Sequence, residues 1–123
     1  MKMKRSVTRR YCFEAAHWLP GVPEGHKCRR VHGHNYEIEV TLQGIPDHRG
    51  FILDFFEMDA IVDPIVARID HRTLNDIAGL ENPTAELIAA WFTKQIKLPD
   101  STSLKRIRVY ETKDCWAEAE VEL

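Results

Sequence analysis

The sequence lacks most of the features that would take it out of the ordinary globular class. It has only 3 cysteines in 123 residues. An odd, low count gives no disulfide framework and leaves at least one thiol free. No apolar run approaches the roughly 20 residues that span a bilayer. The first six residues lead into charged sequence rather than an apolar signal core, so the expected compartment is the cytoplasm. An excess of one charge sign is also missing: Lys plus Arg is 17, Asp plus Glu is 19, and the net charge is −2. Such a balance is a poor electrostatic footprint for nucleic-acid binding. There is no repeat, linker or low-complexity stretch. Hydrophobic residues at 44% and charged residues at 29% exclude a disordered chain. The length fits one domain, residues 1–123, with no room for a second core. A chain this short buries about two thirds of its surface on folding. A site that must exclude water would therefore benefit from a partner subunit.

The periodicities give an α+β order. Residues 4–18 alternate, with Val7, Tyr11, Phe13 and Ala15 on one parity and Ser6, Thr8, Arg10 and Glu14 on the other, which predicts a strand with one buried face. A loop with two prolines and two glycines follows over 19–31. Residues 32–43 alternate again, placing Tyr36, Ile38, Val40 and Leu42 inward. Asp54 followed by Glu57 is a capping-box signature opening a first helix. Its apolar stripe is Phe55, Met58, Val62, Ile65 and Ile69, and Pro64 inside it predicts a kink or break. A second helix is expected from Asn82-Pro83-Thr84 to about Lys97, with Pro in the first turn and Leu87, Ile88, Trp91 and Ile96 inward. Two strands, 104–112 and 115–122, joined by Lys113-Asp114, complete a ββααββ order with two helices on one face of an antiparallel sheet. Basic residues (Lys2, Lys4, Arg5, Arg9, Arg10) and acidic ones (Glu118, Glu120, Glu122) mark the two outer segments. They form either solvated faces or charge pairs across strands or subunits.

The chemistry concentrates in Cys28-Arg29-Arg30-Val31-His32-Gly33-His34. Alternation puts His32 and His34 on one face, about 7 Å apart along the strand. Gly33 between them would allow a close approach. His17 ends the first strand on its apolar parity. If the two strands pair antiparallel, His17 meets both, and three neutral imidazoles with an open position form a catalytic zinc set. His26 and His48 lie in loops and are expected to face solvent. Cys28 has cationic neighbours, which favour a thiolate. It could move a proton, attack carbon, or close a structural site as a fourth ligand. Cys12 and Cys115 are bystanders. Asp70-His71 follows the first helix, where a carboxylate can fix an imidazole tautomer. Glu111 shares the inward parity of Ile107 and Val109. It is either a surface carboxylate at a strand end or a buried one needing donors, such as the adjacent N–H groups of a heterocycle edge.

Taken together, Phe13-Glu14-Ala15-Ala16-His17, Pro23-Glu24-Gly25-His26-Lys27-Cys28, Cys-x-x-x-His-Gly-His, Asp54-Phe55, Asp70-His71, Leu74-Asn75-Asp76, Gly79 to Thr84 and Glu111-Thr112 resemble the 6-pyruvoyl-tetrahydropterin synthase superfamily. The motifs occur in the family's order, and the short spacer between Cys28 and His32 resembles its carboxy branch in queuosine biosynthesis. The resemblance implies a tunnelling fold, with trimers closing β-barrels, two trimers stacking into a hexamer, and sites between subunits. It implies a lyase that turns 7,8-dihydroneopterin triphosphate into 6-carboxy-5,6,7,8-tetrahydropterin with release of acetaldehyde and triphosphate. Carried over, His17, His32 and His34 hold zinc and Cys28 is the acid/base thiol. Asp70 and His71 form a second proton-transfer pair presented from a neighbouring subunit. Glu111 anchors the pterin, and Thr84 is a second candidate for that pocket. Three positions depart from the family pattern: Trp18 where Arg is common, Asp59 where Lys is common, and the tail from Trp116 onward. A 6-pyruvoyl-tetrahydropterin synthase or a non-catalytic zinc-bound module is the alternative.

Overall fold

A computed structural model describes residues 3–122; Lys2, in the basic set above, lies outside them. Five strands form one sheet in the order β3-β1-β2-β4-β5. They are β1 (Arg5–His17), β2 (His32–Gly44), β3 (Arg72–Thr73), β4 (Thr102–Thr112) and β5 (Cys115–Glu120), with helices α1 (Phe55–Ala67) and α2 (Ala85–Gln95). The four long strands run antiparallel as expected, but β3 pairs parallel with β1 through Ala15 and Ala16. The sheet is therefore mixed, and the order gains a strand between the helices. Two residues are too few to show a period, so β3 has no sequence signature.

The alternation in β1 and β2 holds. Phe13, Tyr36, Ile38, Val40 and Leu42 are buried on the helix-covered face, where Ile107, Val109, Ile88 and Phe92 meet them. The Phe13 and Tyr36 rings stack with centroids 4.9 Å apart. Burial of each such side chain contributes about 1.5–3 kcal/mol, so this layer fixes the strand register that positions the histidines.

The capping box forms at Asp54, whose carboxylate accepts from Phe56 N–H while the Glu57 carboxylate accepts from Asp54 N–H. Met58, Val62 and Ile65 face the core, and Ile69 is buried just beyond the helix. Pro64 lies inside α1, which ends three residues on at Ala67. One expectation fails here. Phe55 is 46% exposed, with the Arg9 guanidinium over its ring.

In α2, Pro83 precedes the cap rather than sitting in the first turn, and the helix ends at Gln95. Leu87, expected inward, is 45% exposed, while Ile88, Trp91 and Phe92 supply the buried face. On the opposite face of the sheet the charged residues pair across strands. Arg10 bridges to Glu37 and Glu39, and Arg108 bridges to Glu39 and Glu118. No helix among the described residues is long and apolar enough to cross a membrane.

Candidate active site

The register of β1 and β2 sets His17 opposite His32 and Ala15 opposite His34. All three imidazoles therefore leave the helix-side face at one end of the sheet. Their ligand atoms lie within 4.8 Å of one another. His17 is buried, and its Nδ1 is 2.9 Å from Pro83 O and 3.1 Å from Tyr36 Oη. His32 Nδ1 is 2.7 Å from Arg30 O. A carbonyl oxygen only accepts, so Nδ1 carries a proton in both rings, and in a neutral ring that leaves Nε2 as the lone pair. Those two Nε2 atoms face each other across 3.0 Å. Two lone pairs at that distance repel unless a cation lies between them. Burial pushes the His17 and His34 pKa values down, which favours the neutral, metal-binding imidazole. The set fits a metal ion on these grounds: neutral nitrogen donors, orienting partners behind two of them, and a spacing near the ~3.3 Å between nitrogens of a tetrahedral zinc with Zn–N of about 2.0–2.1 Å.

A cleft of about 420 Å³ opens beside the cluster, lined also by Leu19, Lys27, Cys28 and Glu111. Cys28 sits in a 3₁₀ turn, Lys27–Arg29, with the His26 ring accepting its backbone N–H at 3.0 Å. Leu19 N–H donates to Cys28 O at 2.8 Å, bracing the turn against the end of β1. Arg29 donates to the carbonyls of Pro20 and Val22. Cys28 is not part of the metal-competent cluster, which among the described residues comprises the three histidines. The thiol borders the site without closing it. Glu111 is half-buried, with Oε2 3.9 Å from His34 Nε2. Gly33 makes no close approach within the chain, since a Cβ there would meet only Ala15 O at 3.7 Å.

Asp70 and His71 lie elsewhere. His71 has a left-handed φ of 59°, and its N–H donates to Glu14 O. Asp70 Oδ1 accepts from Glu14 N–H at 2.9 Å, which holds its carboxyl below the usual range. The pair borders the outward-facing side of β1, so within one chain it does not join the Cys28 cleft. Thr84 caps α2, its hydroxyl accepting from Leu87 N–H at 3.1 Å, and does not line that cleft. His48 and the thiols of Cys12 and Cys115 are exposed, and all three cysteines are free. The orienting groups Tyr36 and Pro83 were not anticipated. Tyr36 had a signal, being two residues beyond His34 on the same face. The Pro83 carbonyl had none.

The family model described as 6-pyruvoyl tetrahydropterin synthase matches residues 6–122. The chain belongs to the 6-pyruvoyl tetrahydropterin synthase family. A protein from Synechocystis sp., named 6-carboxy-5,6,7,8-tetrahydropterin synthase, is 39% identical over 112 residues, 86% of this chain and 85% of that protein. Another from Pyrococcus furiosus, named dihydroneopterin monophosphate aldolase, is 34% identical over 120 residues, 96% of this chain and 99% of its own length. Among solved structures, the 6-pyruvoyl tetrahydropterin synthase of Caenorhabditis elegans superposes with a TM-score of 0.86 over 99% of both chains at 23% identity. The architecture is thus the family's tunnelling fold.

Proposed function

We propose that the chain is a zinc-dependent lyase of queuosine biosynthesis. It converts 7,8-dihydroneopterin triphosphate and water into 6-carboxy-5,6,7,8-tetrahydropterin, acetaldehyde and triphosphate. C1′ of the side chain stays on the ring as the carboxylate, while C2′ and C3′ leave as acetaldehyde. The ring gains the hydrogens that C1′ loses, so no external oxidant is needed. The observation that carries the reading is a three-histidine cluster with a thiol beside it, outside the ligand set, in one cleft with Glu111.

His17, His32 and His34 would hold the zinc. When bound, it supplies Lewis acidity that polarises the side-chain oxygens and lowers their pKa. Cys28 moves a proton to or from the side chain. Glu111 accepts from adjacent N–H groups of the pterin and so sets its orientation. Asp70 and His71 relay a second proton, presented to the cleft of a neighbouring chain.

That last role needs an oligomer, and the reading includes trimers stacked into a hexamer. Two observations support it. β3 covers only Ala15 and Ala16 of β1, leaving a long sheet edge, and β5 is the other edge. Two such edges can pair between chains and close a ring head to tail. A reducing cytoplasm suits the three free thiols.

A second reading is aldol cleavage of dihydroneopterin monophosphate, favoured by the end-to-end match to the Pyrococcus furiosus protein. Product analysis separates the readings. Acetaldehyde with triphosphate supports the proposal. Triphosphate without acetaldehyde indicates the pyruvoyl activity. Glycolaldehyde phosphate from the monophosphate indicates the aldolase. A zinc-loaded chain that turns over none of these substrates is the non-catalytic module.

A further inference from the structure

One residue of β1, Glu14, addresses the Asp70–His71 pair with all three of its polar groups. Its N–H donates to Asp70 Oδ1 at 2.9 Å, and its C=O accepts from His71 N–H. Its carboxylate Oε2 is 3.2 Å from His71 Nε2. The other ring nitrogen, Nδ1, is 3.0 Å from Asp70 Oδ1. The exposed imidazole thus has one carboxylate oxygen near each of its two nitrogens. An ionised carboxylate accepts and cannot donate, so each contact calls for a ring N–H. His71 also holds a left-handed φ of 59°, a conformation that a non-glycine residue keeps only when its surroundings fix it. Glu14 supplies that fixation from the neighbouring strand. Glu14 and His71 together line a cleft of about 510 Å³, along with Gly33, His34 and Asn35 of β2.

An exposed ion pair by itself has little energetic weight. The convergence on one dipeptide is what points to a role. We propose that Glu14 is the positioning residue of the Asp70–His71 pair, its carboxylate fixing the ring and keeping a proton on Nε2. The inference rests on the function proposed above, in which that proton is delivered to a neighbouring chain's cleft. Glu14 does not line the Cys28 cleft, and its carboxylate contact is with His71, so it acts through His71.

The test is Glu14→Gln in the full-length protein. An amide in this place is uncharged and can turn either its C=O or its N–H to Nε2, so it removes the carboxylate's demand for a ring N–H. Zinc content should be unchanged, KM should stay within about twofold, and kcat should fall about tenfold or more, the scale of losing a group that orients a working side chain. Glu14→Asp, which keeps the charge at shorter reach, should recover part of the loss. In a His71→Asn background, Glu14→Gln should add nothing, because the group it acts through is gone. Independently of turnover, ¹⁵N-histidine labelling should show the His71 Nε2 resonance of Glu14→Gln displaced toward that of a bare nitrogen. Unchanged kcat, losses that multiply in the double variant, or an unmoved Nε2 resonance would overturn the proposal. If the wild type releases no acetaldehyde, the functional reading fails, and the Nε2 resonance alone decides the role of Glu14.

Discussion

His17 Nε2 and His32 Nε2 face each other across 3.0 Å, each with the opposite side of its ring held by a backbone carbonyl. The hydrogen bonds to Pro83 O and Arg30 O leave both Nε2 atoms as acceptors, so their mutual approach is favourable only around a cation. His32→Ala should therefore lose metal and turnover together, because two imidazoles do not hold a catalytic zinc as three do. Zinc per chain by elemental analysis, alongside acetaldehyde release, checks this. Stoichiometric zinc with full turnover in the variant would contradict the assignment.

Burial lowers the His17 and His34 pKa values, and this has a signed consequence for the metal-free chain. The unfolded imidazoles titrate near their ordinary value of about 6.5. Between that value and the lower folded ones, the unfolded state binds more protons, so stability rises with pH there. Stability of the metal-free protein should be level above about pH 6.5 and should fall as the pH drops through and below it. His32 and Glu111 flank the two rings, and the Glu111 carboxylate opposes part of the effect. Urea midpoints at pH 5 and pH 8 measure it. A midpoint that rises on acidification would reverse the sign.

Cys28→Ala separates enzyme from zinc-bound module. The thiol lines the cleft but stands outside the cluster of ligand atoms. The variant should keep its zinc and melting temperature while turnover falls by roughly 10²-fold or more, the usual scale for a lost general acid or base. Loss of zinc with a large drop in melting temperature would instead mean a closed structural site, where metal binding is folding energy.

The metal cluster was legible in the sequence because a strand's period of two is rigid. His17 shares parity with Phe13 and Ala15, His32 and His34 share parity with Tyr36, and one antiparallel register brings them together. What orients the rings was not legible. The Pro83 carbonyl comes from a loop 66 residues from His17, and no local pattern announces such a partner. The helix stripes were right in phase and wrong in extent at Phe55 and Leu87. Periodicity assigns a face but does not say how far the opposing layer reaches. Asp70-His71 could be found only as a motif, because its partner Glu14 lies on β1 and is brought there by the parallel strand β3.

Thr84 carries two possible roles that one variant distinguishes. Its hydroxyl caps α2, so Thr84→Ala should cost about 1 kcal/mol of stability. Thr84→Ser, which keeps the hydroxyl, should restore it. If capping is its whole role, KM for the pterin stays within about twofold in both variants. A KM that rises in Thr84→Ala but not in Thr84→Ser would assign the hydroxyl to substrate instead.

Glu111 presents its carboxylate to the histidine cleft from the end of β4, half-buried and 3.9 Å from His34 Nε2. At that distance it is too far to share a proton with the ring in a direct hydrogen bond. Its oxygens are left for donors entering the cleft. Glu111→Gln keeps the shape but replaces one acceptor with an N–H, which would face the N–H groups of a bound pterin. A hydrogen bond to a charged group contributes about 1.5–3 kcal/mol, so pterin binding should weaken by roughly 10- to 100-fold. Zinc should be retained, since the three histidines and the carbonyls behind them are untouched. Fluorescence titration with the pterin product, with zinc content measured on the same sample, reads both quantities. Wild-type affinity in Glu111→Gln would remove this residue from the pterin pocket. Loss of zinc would make it a ligand-supporting group instead.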